Sequence, residues 1–152
     1  MDKEIFTTRV LENEKTFYSI AMSMLKNEKD CEDVVQDTIL TAYSKLSSLK
    51  NDEYFKTWFI RILINKCKHM LHNRKRSVVI SEISEESVDI SDVHTEIKLA
   101  LENLKPKIRI VMVMYYIEDF SIKEIHSVLK IPEGTVKSRL SKGRQLMRLE
   151  LE

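Results

Sequence analysis

Along most of the chain apolar residues recur three or four positions apart, the period of a helix that buries one face. Through residues 2–26 that face is Ile5, Phe6, Val10, Phe17, Ile20, Ala21, Met24 and Leu25, which predicts one long helix or two in succession. Residues 27–30 read as a turn, and Asp30 is the expected cap of a helix over 31–46, with Asp33 near the positive end of its dipole. In that helix Val35, Ile39, Ala42, Tyr43 and Leu46 make the apolar stripe, while Asp33, Gln36, Asp37 and Leu40 gather on a different side. A polar loop at 47–53 follows. Residues 54–76 then predict a long helix whose broad stripe is Phe55, Trp58, Phe59, Ile62, Leu63, Cys67, Met70 and Leu71.

The periodicity lapses over 77–93, a stretch rich in Ser, Glu and Asp that reads as a linker. It resumes at 95–104 through Ile97, Leu99, Ala100, Leu101 and Leu104. Pro106 is a good first residue for a helix over 106–117, with Ile108, Val111, Met112 and Tyr115 inward. Ser121-Ile122-Lys123-Glu124 is a capping box, and Ile122, Ile125, Val128 and Leu129 continue its helix. Ile131-Pro132-Glu133-Gly134 breaks that helix, and Thr135 is the expected cap of a last helix over 136–149. Two short helices joined by such a turn form a helix-turn-helix.

The last helix separates its chemistry. Val136, Leu140, Gly143 and Met147 fall on one side of a helical wheel, and Lys137, Ser138, Ser141, Lys142, Arg144, Gln145 and Arg148 on the other. The second face carries hydrogen-bond donors and no carboxylate. A DNA major groove asks for that combination, because phosphates need neutralising while base edges need hydrogen bonds.

Composition narrows the fold. Two glycines and two prolines in 152 residues, with no alternating strand run, predict an all-α protein of one ordinary domain or two small ones. The net charge of +1 conceals segregation: 7 basic and 11 acidic residues in 1–53, 7 and 0 in 54–76, 1 and 7 in 77–104, 10 and 6 in 105–152. Two basic blocks on an otherwise acidic chain point to two surfaces that touch nucleic acid. The first block, with Lys56, Arg61, Lys66, Lys68, Arg74, Lys75, Arg76 and the neutral donors Asn65 and Asn73 beside aromatic rings, suits single-stranded or distorted DNA. Phe55, Trp58 and Phe59 are nonetheless expected mainly in the core.

Enzyme chemistry finds little support. Cys67, His69 and His72 share one helix, but the cysteine points away from the histidines and no second ligand pair completes a metal site. No phosphate-cradling glycine loop or nucleophilic triad can be assembled, so neither catalytic residues nor a metal nor a cofactor is expected. Cys31 and Cys67 are expected as free thiols of a cytoplasmic protein, there being no apolar run long enough to span a membrane.

Three segments together carry a family resemblance: Asp33-Val34-Val35-Gln36-Asp37-Thr38, Phe55-Lys56-Thr57-Trp58-Phe59-Ile60-Arg61-Ile62 and Ile131-Pro132-Glu133-Gly134-Thr135-Val136-Lys137-Ser138-Arg139-Leu140. In order and spacing the chain resembles bacterial extracytoplasmic-function (ECF) sigma factors. The resemblance implies two small helical domains, sigma region 2 at 1–76 and sigma region 4 at 95–152, joined by a flexible acidic linker at 77–94 that runs through the polymerase. It implies that Asp33, Gln36, Asp37 and Leu40 dock on RNA polymerase core enzyme. It further implies that Leu49, Lys50, Asn51, Arg61, Asn65 and Lys66 bind the −10 element, and that Thr135, Lys137, Ser138, Ser141, Lys142, Arg144, Gln145 and Arg148 bind the −35 element. Promoter DNA, core polymerase and an anti-sigma factor, often membrane-anchored, are the implied partners. The rival is a helix-turn-helix regulator that acts without joining polymerase; it leaves the acid-free helix and the Asp33–Asp37 face without a role.

Overall fold

A computed structural model describes residues 1–77 and 95–152. The expected linker, from 78 onward, lies outside the described residues. All described elements are helical, and the chain divides into two compact units, Met1–Ser84 and Glu85–Glu152.

The first unit contains α1 (Lys3–Glu12), α2 (Glu14–Leu25), α3 (Glu28–Ser44) and α4 (Phe55–Ser77). The Asp2 carboxylate caps α1 by accepting from the Ile5 amide at 2.9 Å. Asn13, at φ −107° and ψ 7°, separates α1 from α2, so the N-terminal segment is two helices. Phe6 and Val10 are buried on α1, whereas Ile5 faces outward at 43% exposure. Lys26 closes α2 in the left-handed conformation at φ 55°.

The cap of α3 differs from expectation. Asn27, not Asp30, precedes the first turn, and its side chain accepts from the Asp30 amide at 2.9 Å. Asp30 thus lies inside the first turn, where its carboxylate pairs with Arg74 of α4. A second guanidinium nitrogen of Arg74 donates to the Leu25 carbonyl at 2.9 Å. One arginine therefore satisfies a C-terminal carbonyl of α2 and an acid at the N-terminus of α3, which ties three helix ends together. Its charge is spent inside the unit rather than added to a basic surface.

Helices α2, α3 and α4 pack on one another around Phe17 and Phe59, whose rings stack with centroids 4.0 Å apart. Phe6 meets Phe55 edge-on at 5.8 Å. Each such buried ring removes enough apolar surface to stabilise the fold by roughly 1.5–3 kcal/mol. On α4 the buried positions are Phe55, Phe59, Ile60, Leu63, Ile64 and Cys67. The expected Trp58, Ile62, Met70 and Leu71 are only half-buried. The row Phe55, Phe59, Leu63 and Cys67 is common to both arrangements, and it has apolar residues on each flank. Periodicity cannot choose between the flanks; the placement of α2 and α3 does.

The second unit contains α5 (Thr95–Glu102), α6 (Pro106–Met112), a π turn (Val113–Ile117), α7 (Ile122–Leu129) and α8 (Glu133–Leu151). Helix α5 stops at Glu102, short of the expected 104, because the carbonyls of Glu102 and Leu104 turn to Arg109, which donates to each at 3.1 Å. Arg109 is only 5% exposed, and that burial lowers its pKa. Pro106 opens α6 as its first residue.

Ser121 and Glu124 form the predicted capping box. The Glu124 amide donates to the Ser121 hydroxyl at 3.0 Å, and the Ser121 amide donates to the Glu124 carboxylate at 3.1 Å. The turn after α7 departs from prediction. Its left-handed residue is Lys130, at φ 56°, and Gly134 has ordinary helical geometry with open space where a Cβ would stand. Helix α8 begins at Glu133, directly after Pro132, so Thr135 sits within the first turn and caps nothing. A 2.6 Å contact between His126 Nδ1 and the Ile131 carbonyl closes the turn.

Candidate polymerase and nucleic-acid interfaces

Helix α8 is held by its narrow edge. Val136, Leu140 and Gly143 are buried against the helices that surround it, with Met147 half-buried beyond them. Gly143 permits a close approach to α6: a Cβ there would stand 2.5 Å from Met112 Sδ, 2.7 Å from its Cγ and 3.1 Å from a methyl of Ile108. Lys137, Ser138, Ser141, Lys142, Arg144, Gln145 and Arg148 are exposed, and Thr135 is half-buried.

That face is less uniform than the wheel implies. Ser138 donates its hydroxyl to the Thr135 carbonyl at 3.0 Å, and Arg144 donates to the Tyr116 hydroxyl at 3.1 Å. Arg144 and Arg148 also line an open groove of about 480 Å³ with Ile97, Leu101, Met112, Ile117 and Met147. These two arginines stand on the flank shared with that apolar groove. Lys137, Ser141, Lys142 and Gln145 remain as the outward donors over the first four turns.

In the first unit, Asp33, Gln36, Asp37 and Leu40 are all exposed, Leu40 at 71%. The i, i+3, i+4 and i+7 spacing places an isolated leucine among acids and an amide on one side of α3. Between α3 and α4, the polar loop expected at 47–53 carries two 3₁₀ turns, Leu46–Ser48 and Asp52–Tyr54. Leu49 is half-buried; Lys50 and Asn51 are exposed. The Asn51 side-chain oxygen accepts from the Glu53 amide at 3.0 Å, capping the second turn and leaving the amide nitrogen outside that bond.

Arg61 and Lys66 are half-buried on α4, and Asn65 is exposed. Lys66 reaches across to α3 and pairs with Asp37 at 2.8 Å. The family resemblance implies different partners for those two residues; the fold brings them into contact. They line a groove of about 420 Å³ with Thr41, Lys45, Ile62, Asn65, His69, Met70 and Asn73. Thr41 and Lys45 line it without having been singled out from the sequence; His69, weighed there only as a metal ligand, and Met70, expected in the apolar stripe, line it too. Their signal was present as positions 37, 41 and 45 on one helix and 62, 66, 69, 70 and 73 on the next, but it acquires meaning only when the helices pair.

The thiols have no part in either surface. Cys31 and Cys67 are 1% and 0% exposed. Burial pushes the Cys31 thiol up to about 11 and the Cys67 thiol up to about 12, which keeps both protonated and unreactive. Among the described residues no group of His, Cys, Asp and Glu could hold a metal ion, and no helix is long and apolar enough to cross a membrane.

Two helical units, one ending in a capped helix-turn-helix and the other carrying a mixed acidic and basic groove, have the architecture expected of a sigma-70 type of protein, and comparison with family models shows that class. Residues 10–77 match the family described as Sigma-70 region 2, and residues 94–147 match Sigma-70, region 4. The chain belongs to that family, and to its ECF branch. It is 29% identical over 157 residues to RNA polymerase sigma factor SigV of Bacillus subtilis, covering 98% of this chain and 92% of the relative. It is 27% identical over 169 residues to ECF RNA polymerase sigma factor SigW of the same organism, covering 99% and 90%. In fold it is similar to the sigma factor RpoE solved in complex with the anti-sigma factor NepR from Bartonella quintana: TM-score 0.83, 24% identity, 97% of each chain. It is likewise similar to CnrH solved with the cytosolic domain of CnrY: TM-score 0.77, 24% identity, 99% of this chain and 89% of the other.

Proposed function

We propose that this chain confers promoter specificity on RNA polymerase core enzyme, with its two units as separate anchors and residues 77–94 as the tether. The observation that carries the reading is α8: an exposed, acid-free donor face, set by its buried edge behind a capped helix and a tight turn. Lys137, Ser138, Ser141, Lys142 and Gln145, with Thr135, Arg144 and Arg148 at the margins, enter the duplex at the −35 element. Asp33, Gln36, Asp37 and Leu40 dock on the core enzyme. Leu49, Lys50, Asn51, Arg61, Asn65 and Lys66 hold the −10 element as it opens. Turning a base out of the stack costs a few kcal/mol, which the loop and α4 return by contacts to the exposed strand.

Phosphodiester synthesis belongs to the polymerase, and the chain supplies position and strand opening. One relative in fold was solved with the anti-sigma factor NepR and another, CnrH, with the cytosolic domain of CnrY, which supports a protein antagonist for this chain. Run-off transcription with purified core polymerase on a genomic promoter library tests the reading. Promoter-dependent product is expected only with the chain present, and Lys142→Ala should weaken −35 duplex binding and flatten its salt dependence by about one ion. A library without product, or operator binding that is as tight without core as with it, sinks the proposal in favour of a free-standing regulator.

A further inference from the structure

The ion pair between Lys66 and Asp37 joins a group assigned to DNA with one assigned to polymerase. This inference rests on the functional reading above and goes beyond it. Lys66 is 26% exposed at its side chain and Asp37 is 62% exposed, so the carboxylate is open to an incoming partner while the ammonium is partly screened beneath it. An ammonium that holds a carboxylate at 2.8 Å offers DNA little net charge, because any phosphate that approaches also meets the acid. A partner that docks on this face of α3 meets Asp37 first, and the chemistry that satisfies a carboxylate is a guanidinium, an ammonium or a row of amide donors. Such a group takes Asp37 and frees Lys66.

We propose that the Lys66–Asp37 pair is an exchange latch. In the unbound chain it withholds Lys66 from the single strand, and docking of the polymerase on Asp37 releases that lysine to a phosphate. The two binding events are thereby coupled, and linkage makes the coupling equal in both directions. Its size is bounded by the strength of one solvent-exposed pair, a factor of about 1.5 to 5 in an equilibrium constant. Lys45 lines the same groove but is not the residue at 2.8 Å from the carboxylate.

The test is a double-mutant cycle on the full chain without polymerase, with a fluorescent single-stranded DNA oligonucleotide as probe at several salt concentrations. Asp37→Asn should tighten binding about 1.5- to 5-fold and steepen the salt slope by about 0.7, the value for one further phosphate on a single strand. Lys66→Ala should weaken binding, because it bares the Asp37 carboxylate beside the strand, and Asp37→Asn added to Lys66→Ala should gain less than it does in the wild-type chain, because repulsion is relieved but no lysine is freed. An equal gain in both backgrounds is general charge removal and overturns the latch. No gain from Asp37→Asn, with Lys66→Ala still weakening −10 binding by the holoenzyme, overturns the latch and leaves the functional reading standing. Lys66→Ala without effect in free chain and holoenzyme alike overturns both the latch and the assignment of Lys66 to DNA.

Discussion

Replacing Gly143 by alanine sets two effects of known size against each other. Glycine inside a helix is less stable than alanine by about 1 kcal/mol, so on propensity alone the change should stabilise α8. The structure opposes it. The new Cβ would stand 2.5 Å from Met112 Sδ and 2.7 Å from its Cγ, about 1 Å inside ordinary carbon contact, with an Ile108 methyl at 3.1 Å behind. Met112 is 5% exposed and must change rotamer to give way; its flexibility lowers the cost, but Ile108 is β-branched and cannot follow. Overpacking of this kind costs about 1–3 kcal/mol, so the net expectation is a loss of about 1 kcal/mol. For a unit of this size that is a fall of about 4–8 °C in Tm, read by circular dichroism. In a Met112→Ala background the space is vacated, and Gly143→Ala should then be neutral or stabilising, a coupling of at least about 1 kcal/mol. A rise in stability from Gly143→Ala in the wild-type background would refute the steric argument.

Two further predictions concern stability. Ser121→Ala removes one half of the capping box from an eight-residue helix too short to persist alone, and should destabilise the second unit by about 1 kcal/mol while Ser121→Asp largely retains it, as measured by thermal unfolding. The thiols predict a pH dependence. Because the folded chain holds these protons more tightly, stability is undiminished below the ordinary thiol value of 9.0 and falls as pH rises toward the folded values of about 11 and about 12. Each thiol contributes a slope of up to about 1.4 kcal/mol per pH unit. Urea unfolding at pH 8 and pH 10 should show the fall, and Cys67→Ala should reduce the slope; an unchanged slope would show that Cys67 ionises equally in both states.

Local signals were legible before any fold was known. The Ser121–Glu124 box, Pro106 at a helix start and the donor face of α8 each depend on residues within a few positions of one another, and the helical period places them without reference to the rest of the chain. The same locality explains the family resemblance, which rests on short segments in fixed order. Caps were less legible where two candidates stood close together. Asn27 and Asp30 both suit the start of α3, and the choice fell to Asn27 because Asp30 is drawn to Arg74, 44 residues away.

Sequence alone thus determined that the protein is helical, where its helices lie to within a few residues, and which stretches are acidic or basic, because these follow from period, propensity and composition. Tertiary structure alone decided which flank of α4 is buried, that Arg74 and Arg109 satisfy helix-end carbonyls rather than serving outside partners, and that Gly143 is small because Met112 lies against it. It also set Lys66 on Asp37, turning two faces that a helical wheel treats as independent into one groove. The reason is common to all four: a wheel orders residues around a single helix, whereas contacts between helices depend on which faces meet, and that is settled only when the apolar surfaces of the whole unit are buried together.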